Sequence, residues 1–258
     1  MSKNFYILSS LKDGINIGDV TRVMEFFKNK QHKIVTYKKY NKFFKELNKK
    51  NVIDINKFNI KKNTKNIVNL VVHKKIPNCF WDINNNFSGT YDKKNHNFNI
   101  LNTLSKKISF PISSYKKSKK NLKIGFNNIV PDEWKIKQYP NENWENLKIK
   151  LNEFPNVNVQ FQPKLKLIPY IKWIKSCDVF VSIVGFGVHI ASYLEKKIVM
   201  LSGPTDRIDY RKKNKIKTIY PKKRCAIHKK KLYLKSKNCS CMKNIDENEV
   251  FKAIKSHL

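Results

Sequence analysis

Two periodicities alternate along the chain. Short continuous apolar runs, the pattern of strands buried on both faces, are followed by stretches whose apolar residues recur every three or four positions, the pattern of an amphipathic helix. The first half opens with a strand run at Phe5–Ser10, a loop at Lys12–Ile17, and a helical pattern from Asp19 to about Lys30 that places Val20, Val23, Met24 and Phe27 on one face. Strand runs follow at His32–Tyr37 and Ile67–His73, with a helical pattern over Asn41–Lys49 between them. From Lys74 to about Leu104 the text is Asn-rich with short apolar patches, and Phe110–Asn121 has the Pro, Ser and Lys content of a linker. A second series then begins, with strands Leu122–Phe126, Val157–Gln162, Asp178–Ile183 and Ile198–Ser202, and helices at about Asn143–Asn152, Ile168–Cys177 and Val188–Glu195. A last helix, about Glu247–His257, starts behind Asp246 as N-cap with Glu249 three residues on, the capping-box spacing. Strand–helix alternation of this kind predicts parallel sheets flanked by helices. The expected fold is therefore α/β, two Rossmann-like doubly wound halves facing a cleft. An N-terminal domain over residues 1–109 is short, with three clear strands; a linker covers 110–121, and a C-terminal domain covers 122–258.

One stretch within the second half points to chemistry. Asp178–Asp206 holds a buried strand, a glycine-bearing turn, a helix start and a second strand ending in Gly203-Pro204-Thr205-Asp206. In open parallel sheets ligands bind outside the carboxyl ends of strands, where a helix start presents backbone N–H groups to an anion. Gly185 and Gly187 at the first turn, and Gly203 and Pro204 at the second, predict a site for a phosphorylated ligand, a nucleotide-linked one by preference.

Composition narrows the function classes. The chain of 258 residues is long enough for one large or two small α/β domains. Its formal charge is +35, but only Arg22, Arg207, Arg211 and Arg224 are arginines, and Asn and Ile are also abundant. Lys, Asn and Ile together are what A- and T-rich codons encode. Sequence-specific nucleic-acid readers favour arginine, whose planar fork pairs bidentately with guanine, so no specific nucleic-acid partner is expected. Scattered lysines do fit peripheral contact with an anionic membrane surface. No apolar run reaches the roughly 18 residues of a spanning helix, and Met1–Tyr6 does not begin a signal peptide. A soluble protein of the cytoplasm, peripheral at most on the inner face of the cytoplasmic membrane, is expected.

Five cysteines, an odd number, do not suggest a disulfide framework in such a compartment. Cys225, His228, Cys239 and Cys241 stand in one short segment, four soft or borderline ligands that tetrahedral zinc or iron would accept. Such a site would be structural, with every position filled by protein; reduced, unliganded thiols are the alternative.

Four stretches in order carry a resemblance. Ile17-Gly18-Asp19-Val20 follows the first strand; Lys137-Gln138-Tyr139-Pro140 precedes Trp144 and Leu147; Gly185–Ala191 contains His189; and Leu201-Ser202-Gly203-Pro204-Thr205-Asp206 ends a strand. The tail Cys241-Met242…Ile245…Glu249-Val250 follows. Together they resemble glycosyltransferase family 9, the heptosyltransferases, with their Gly-Asp, Lys-x-W/Y-P…W…L, D-[ST]-G-x-x-H-[LI]-A, Φ-x-G-P-T-[DS] and C-[ML]…I…E-V motifs. The resemblance implies the two-domain GT-B fold. It also implies transfer of a sugar from a nucleotide diphosphate sugar, such as an ADP-heptose, to a glycan or lipid-linked glycan acceptor of bacterial lipopolysaccharide or surface polysaccharide.

A glycosyl transfer needs a base for the acceptor hydroxyl and positive charge for the departing diphosphate. By resemblance Asp19 is the base and Lys137 neutralises donor phosphate. His189, Gly185, Gly187, Gly203, Pro204, Thr205 and Asp206 face the diphosphate, and no cofactor is required for the chemistry. Each has a plainer alternative. Asp19 also suits a helix N-cap, His189 a core position, and the Gly203-Pro204 turn an ordinary β-turn. Asn127 and Asn128, just past a strand end, bind the donor or make a turn. Trp134 and Trp144 offer stacking surfaces, although Trp144 has core spacing with Leu147 and Leu151. The chain departs from the motif at one place, with Val184-Gly185-Phe186 where the family has Asp-[ST]-Gly. A non-catalytic nucleotide-sugar or glycan-binding descendant therefore stands as the alternative function.

Overall fold

The structure, a computed structural model, describes residues 5–9, 21, 32–36, 38–47, 52–57, 67–69, 121–205, 215–225 and 239–258. Asp19, Asp206, His228 and the stretch Lys74–Leu104 lie outside the described residues, as do the helix predicted from Asp19, apart from Thr21, and the predicted linker, apart from Asn121. The chain divides into two compact units, Met1–Ser113 and Ser114–Leu258.

The first unit is built on a parallel sheet of β1 (Phe5–Ser9), β2 (His32–Thr36), β3 (Val52–Asp54) and β4 (Ile67–Asn69), in the order β3-β2-β1-β4. β1 is central, with Ile7 opposite Ile34 on one side and Val68 on the other. β3 has no counterpart among the predicted strands: its three residues are too few to show a period. Helix α1 (Asn41–Glu46) buries Phe43 and Phe44.

The second unit carries five parallel strands in the order β6-β5-β7-β8-β9: β5 (Leu122–Asn127), β6 (Val157–Phe161), β7 (Val179–Ile183), β8 (Lys197–Leu201) and β9 (Ile216–Ile219). β9 is a second strand that the apolar pattern missed, since Lys217 and Thr218 interrupt it. Every residue of β7 is buried, as expected of a central strand covered on both faces.

Alternate residues face opposite helix layers. Ile124, Phe126, Val179, Val181, Val199 and Leu201 join one core with Trp144, Leu147 and Leu151 of α2 (Asn141–Asn152) and Val250 and Ile254 of α5 (Glu247–Lys255). The opposite face receives α3 (Leu167–Ser176) and α4 (Phe186–Tyr193). There a Cβ on Gly125 of β5 would meet Cys177 Sγ and, at 3.1 Å, the Trp173 ring, so this strand position must be glycine for α3 to lie so close.

Helix starts follow local chemistry. The Asp246 carboxylate accepts from the Asn248 N–H at 2.8 Å and caps α5, the residue the capping pattern predicts. α4 begins at Phe186, two residues before the predicted start: Gly185 is the N-cap and Gly187 is already helical. All its residues from Gly187 to Tyr193 are buried, so the helix has no polar face from which a period could be read.

Candidate functional site at the carboxyl edge of the second sheet

In the strand order of the second unit the direction of winding reverses between β5 and β7, the position at which open α/β sheets bind ligands. The carboxyl ends of β5, β7 and β8 bring Asn127, the Val184–Gly187 segment and Gly203–Thr205 to the same edge of the sheet. α4 starts there with its first-turn amides and the positive end of its dipole, and with no acidic residue in its first turn. A Cβ on Gly185 would meet nothing within 4 Å, so the edge is open at the N-cap.

Beneath α4 lies a buried relay. The Tyr170 hydroxyl on α3 donates to Asn127 Oδ1 at 2.8 Å, and Asn127 Nδ2 donates to the Ser182 hydroxyl at 2.7 Å, which in turn donates to the Ile183 carbonyl at 2.8 Å. Burial holds the Tyr170 hydroxyl well above its ordinary range, with Cys177 adding to the effect and the Asn127 hydrogen bond opposing it. It therefore stays protonated and a donor. The Asn127 carboxamide, predicted as a donor ligand or a turn former, is engaged within the protein on both of its ends.

Aromatic rings extend the relay outward. The Tyr170 ring stacks on Trp173 at 5.9 Å and on Phe186 at 6.2 Å, with interplanar angles of 26° and 29°. Phe186, the first helical residue of α4, is half-buried, and Val184 is 4% exposed. The sequence departure at Val184–Phe186 thus has a structural content: an apolar residue enters the core and an aromatic ring covers Tyr170.

His189 sits one turn into α4 and is 4% exposed, within the buried body of the helix rather than at its mouth. Ser202 Oγ donates to the Thr205 carbonyl at 2.8 Å and closes the Gly203-Pro204 turn from within. Gly203 and Pro204 are buried, and Thr205 is half-buried.

Lys137 ends a 3-10 segment, Asp132–Lys137, in the loop that follows β5. Its Nζ lies 4.3 Å from the centroid of the Trp134 ring, and Trp134 is 39% exposed. Gln138 fixes the loop, its Nε2 reaching the carbonyls of Asn128 at 3.2 Å and Tyr139 at 3.1 Å. Tyr139 is fully buried against Trp144, with ring centroids 5.2 Å apart, and burial pushes its hydroxyl up to about 12. Tyr139 and Trp144 are therefore core residues, and Tyr139 anchors the loop two residues after Lys137.

The sulfurs of Cys225, Cys239 and Cys241 all lie within 4.8 Å of one another, Cys225 Sγ being 3.5 Å from Cys239 Sγ and 3.4 Å from Cys241 Sγ. In tetrahedral thiolate coordination with bonds of about 2.3 Å, sulfurs stand about 3.8 Å apart. The three side chains can hold a metal ion. Burial, with the neighbouring thiols, raises Cys239 and Cys241 above the ordinary thiol range, so as free thiols they are protonated and unreactive.

Tyr170 and Ser182 belong to this edge and were not singled out from sequence; Phe186 was noted only as part of the motif departure, before the predicted helix, and Gln138 only as part of the Lys137–Pro140 motif. Tyr170 reads as an ordinary apolar helix position, and only the fold shows what its hydroxyl and ring meet.

No family model matches the sequence, and no curated protein matches it. Solved structures do match in fold. A glycosyl transferase family 9 structure from Veillonella parvula DSM 2008 is 16% identical, with a TM-score of 0.56 over 99% of this chain and 97% of that one. The E. coli heptosyltransferase WaaC, solved with ADP-2-deoxy-2-fluoro heptose, is 13% identical, with a TM-score of 0.52 over 99% of this chain and 100% of that one. TibC, a dodecameric iron-containing heptosyltransferase from enterotoxigenic E. coli solved with ADP-D-beta-D-heptose, is 9% identical, with a TM-score of 0.57 over 98% of this chain and 76% of that one. The chain has the fold of these glycosyltransferases, the two-domain α/β GT-B fold expected from its motifs.

Proposed function

We propose that this protein is a glycosyltransferase of family 9 that moves a sugar from a nucleotide diphosphate sugar to a glycan or lipid-linked glycan acceptor in bacterial lipopolysaccharide or surface polysaccharide synthesis. The observation that carries the reading is a coincidence of two independent facts. The motifs Lys137–Pro140, Gly185–Ala191 and Leu201–Asp206 occur in family order, and those parts of them that are described lie along the carboxyl edge of one parallel sheet, Lys137 in the loop after β5 and the others at the ends of β7 and β8. A fold shared over nearly the whole chain with family 9 structures supports it.

In this reading residues 122–258 hold the donor and residues 1–109 the acceptor, joined by the linker 110–121. The diphosphate lies at the start of α4 and against the Gly203-Pro204-Thr205-Asp206 turn, with Lys137 supplying positive charge and His189 supporting the helix from within. Asp19 takes the proton of the acceptor hydroxyl. The acceptor oxygen forms its bond to the anomeric carbon as the bond from that carbon to the phosphate oxygen breaks, and the nucleoside diphosphate departs with the electron pair. No metal takes part in these steps. ADP is the first nucleotide to try, because structures that share the fold were solved with ADP-linked heptose.

Cys225, Cys239 and Cys241, with His228 as the fourth ligand, hold a structural zinc or iron ion in this reading. The sulfur spacing suits it, and one structural neighbour is iron-containing. The protein works in the cytoplasm, peripheral to the inner face of the membrane through its lysines. No described helix is long and apolar enough to cross a membrane.

The buried Val184 in place of an aspartate favours one second reading, a protein that binds nucleotide sugar without turning it over. Transfer assayed by mass spectrometry with matched donor and acceptor decides: turnover that Asp19→Ala abolishes supports the enzyme, and donor binding with no turnover under any condition supports the binder.

A further inference from the structure

We propose that Tyr170 is the positioning residue of the candidate donor site, its hydroxyl setting where the first turn of α4 meets the ends of β5 and β7. The inference rests on the reading of that turn as the diphosphate cradle.

Tyr170 is joined to the separate parts of the edge by different forces. Its hydroxyl bonds Asn127 at the end of β5, and through Asn127 reaches Ser182 on β7. Its ring carries Phe186, the first residue of α4, in a near-parallel stack. The same hydroxyl lies under Gly187, the second residue of α4. A Cβ there would collide with it, besides lying 2.9 Å from Asn127 Nδ2 and 3.1 Å from Phe180 Cζ. The glycine is thus required first by the tyrosine oxygen beneath it and next by the Asn127 carboxamide which that oxygen bonds, and the height of the helix start above the sheet is set by this pair. A helix start displaced by the width of a methyl group no longer aims its amides at the same phosphate oxygens, and hydrogen bonds of this kind weaken steeply with misalignment.

Phenylalanine at 170 keeps the ring and removes only the oxygen, leaving Asn127 Oδ1 without its buried donor, a change that lowers the melting temperature. Alanine at 187 pushes the turn off the oxygen. The two changes together remove the main collision, so they should not add.

The test is a double-mutant cycle of the full-length protein, Y170F, G187A and Y170F/G187A, with two readouts. Melting temperature reports the contact without any ligand. Dissociation constants for ADP, UDP, GDP, CDP and TDP, and KM and kcat where transfer is seen, report the site. The expected result is that G187A lowers the melting temperature and weakens the bound nucleotide roughly tenfold or more, and that kcat falls as well where transfer is seen, because the displaced amides also meet the departing diphosphate. Y170F/G187A should then recover part of both losses. Additive losses in melting temperature, or affinity equal across the four proteins while the melting temperatures couple, would overturn the proposal. If the unsubstituted protein binds none of the five nucleotides, the donor reading falls separately, and coupling in melting temperature alone decides whether the hydroxyl sets the turn. A structure of Y170F with the α4 turn unmoved and affinity intact also overturns it, should G187A fail to fold.

Discussion

The Met242 side chain occupies the space that a Cβ on Gly203 would need: its sulfur and its Cγ, 2.9 Å away, both fall within reach of that atom. Gly203 lies in the turn that follows β8 at the candidate site, and Met242 follows Cys241 of the thiol cluster. The turn at one end of the sheet is therefore packed directly on the segment that leads into α5. Gly203→Ala should destabilise the protein by about 1–3 kcal/mol, the usual cost of overpacking, and should weaken nucleotide binding as well. Chemical denaturation and nucleotide titration of the same variant check both; an unchanged unfolding midpoint would show that Met242 yields freely.

Lys137 is half-buried and Trp134 exposed, so the contact of the amine with the ring is worth about 1 kcal/mol. Lys137→Ala should therefore lower the melting temperature by a few degrees at most. If the amine meets donor phosphate, nucleotide affinity should fall by roughly 10–100-fold, the range for a charge-assisted hydrogen bond. Calorimetric titration separates the two effects, and a variant that binds as well as the parent removes Lys137 from the site.

The thiol cluster predicts one bound zinc or iron per chain in protein purified under reducing conditions. Cys239→Ser should lose the metal and lower the melting temperature, because metal binding is coupled to folding. Binding should weaken as pH falls, since thiolates must form and their protons are released on binding. Elemental analysis of the parent and the variant provides the check, and equal metal content in both would refute the cluster as a site.

His257 closes α5 against β8 and β9, with Lys197 Nζ donating to its carbonyl and Lys217 close by. Burial first, and then the two lysine charges, hold its imidazole down to about 4 from the ordinary 6.5. The folded state thus binds its proton less readily than the unfolded chain, and the stability this provides is complete above pH 6.5 and lost as pH falls toward 4. Its size is on the order of 1–2 kcal/mol once partial solvent screening of the ring is allowed for. Asp246, held below its usual range mainly by Lys222, adds a further loss in more acid solution. Urea midpoints measured from pH 7 to pH 4 should fall in the parent and fall less in His257→Leu; parallel curves would contradict the assignment.

β7 and β8 were legible as nearly continuous apolar runs and β5 and β6 as apolar residues at alternate positions, and the α5 start because Asp246 stands where an N-cap must. β3 and β9 were not: three residues carry no period, and Lys217 breaks the second run. The start of α4 was placed late because glycines at 185 and 187 look like a turn, whereas Gly187 is helical and small on account of Tyr170. The relay of Tyr170, Asn127 and Ser182 spans residues 43 and 55 apart in sequence, and no local pattern signals such a pairing. The thiols, by contrast, could be grouped from spacing alone, and three of the four proposed ligands prove to be neighbours in space.

Thermal stability measured at moderate salt with ADP-, UDP-, GDP-, CDP- and TDP-linked sugars, and with the free nucleotides, bears most directly on the proposed donor site. A ligand that binds the folded state at a hundred times its dissociation constant stabilises it by about 2.7 kcal/mol, a shift of several degrees. A rise selective for one nucleotide family, ADP first, and persisting as salt is raised, is the predicted result. Equal shifts with every nucleotide that vanish with salt would show only the attraction of a chain of charge +35 for phosphate, and would contradict a donor site at the start of α4.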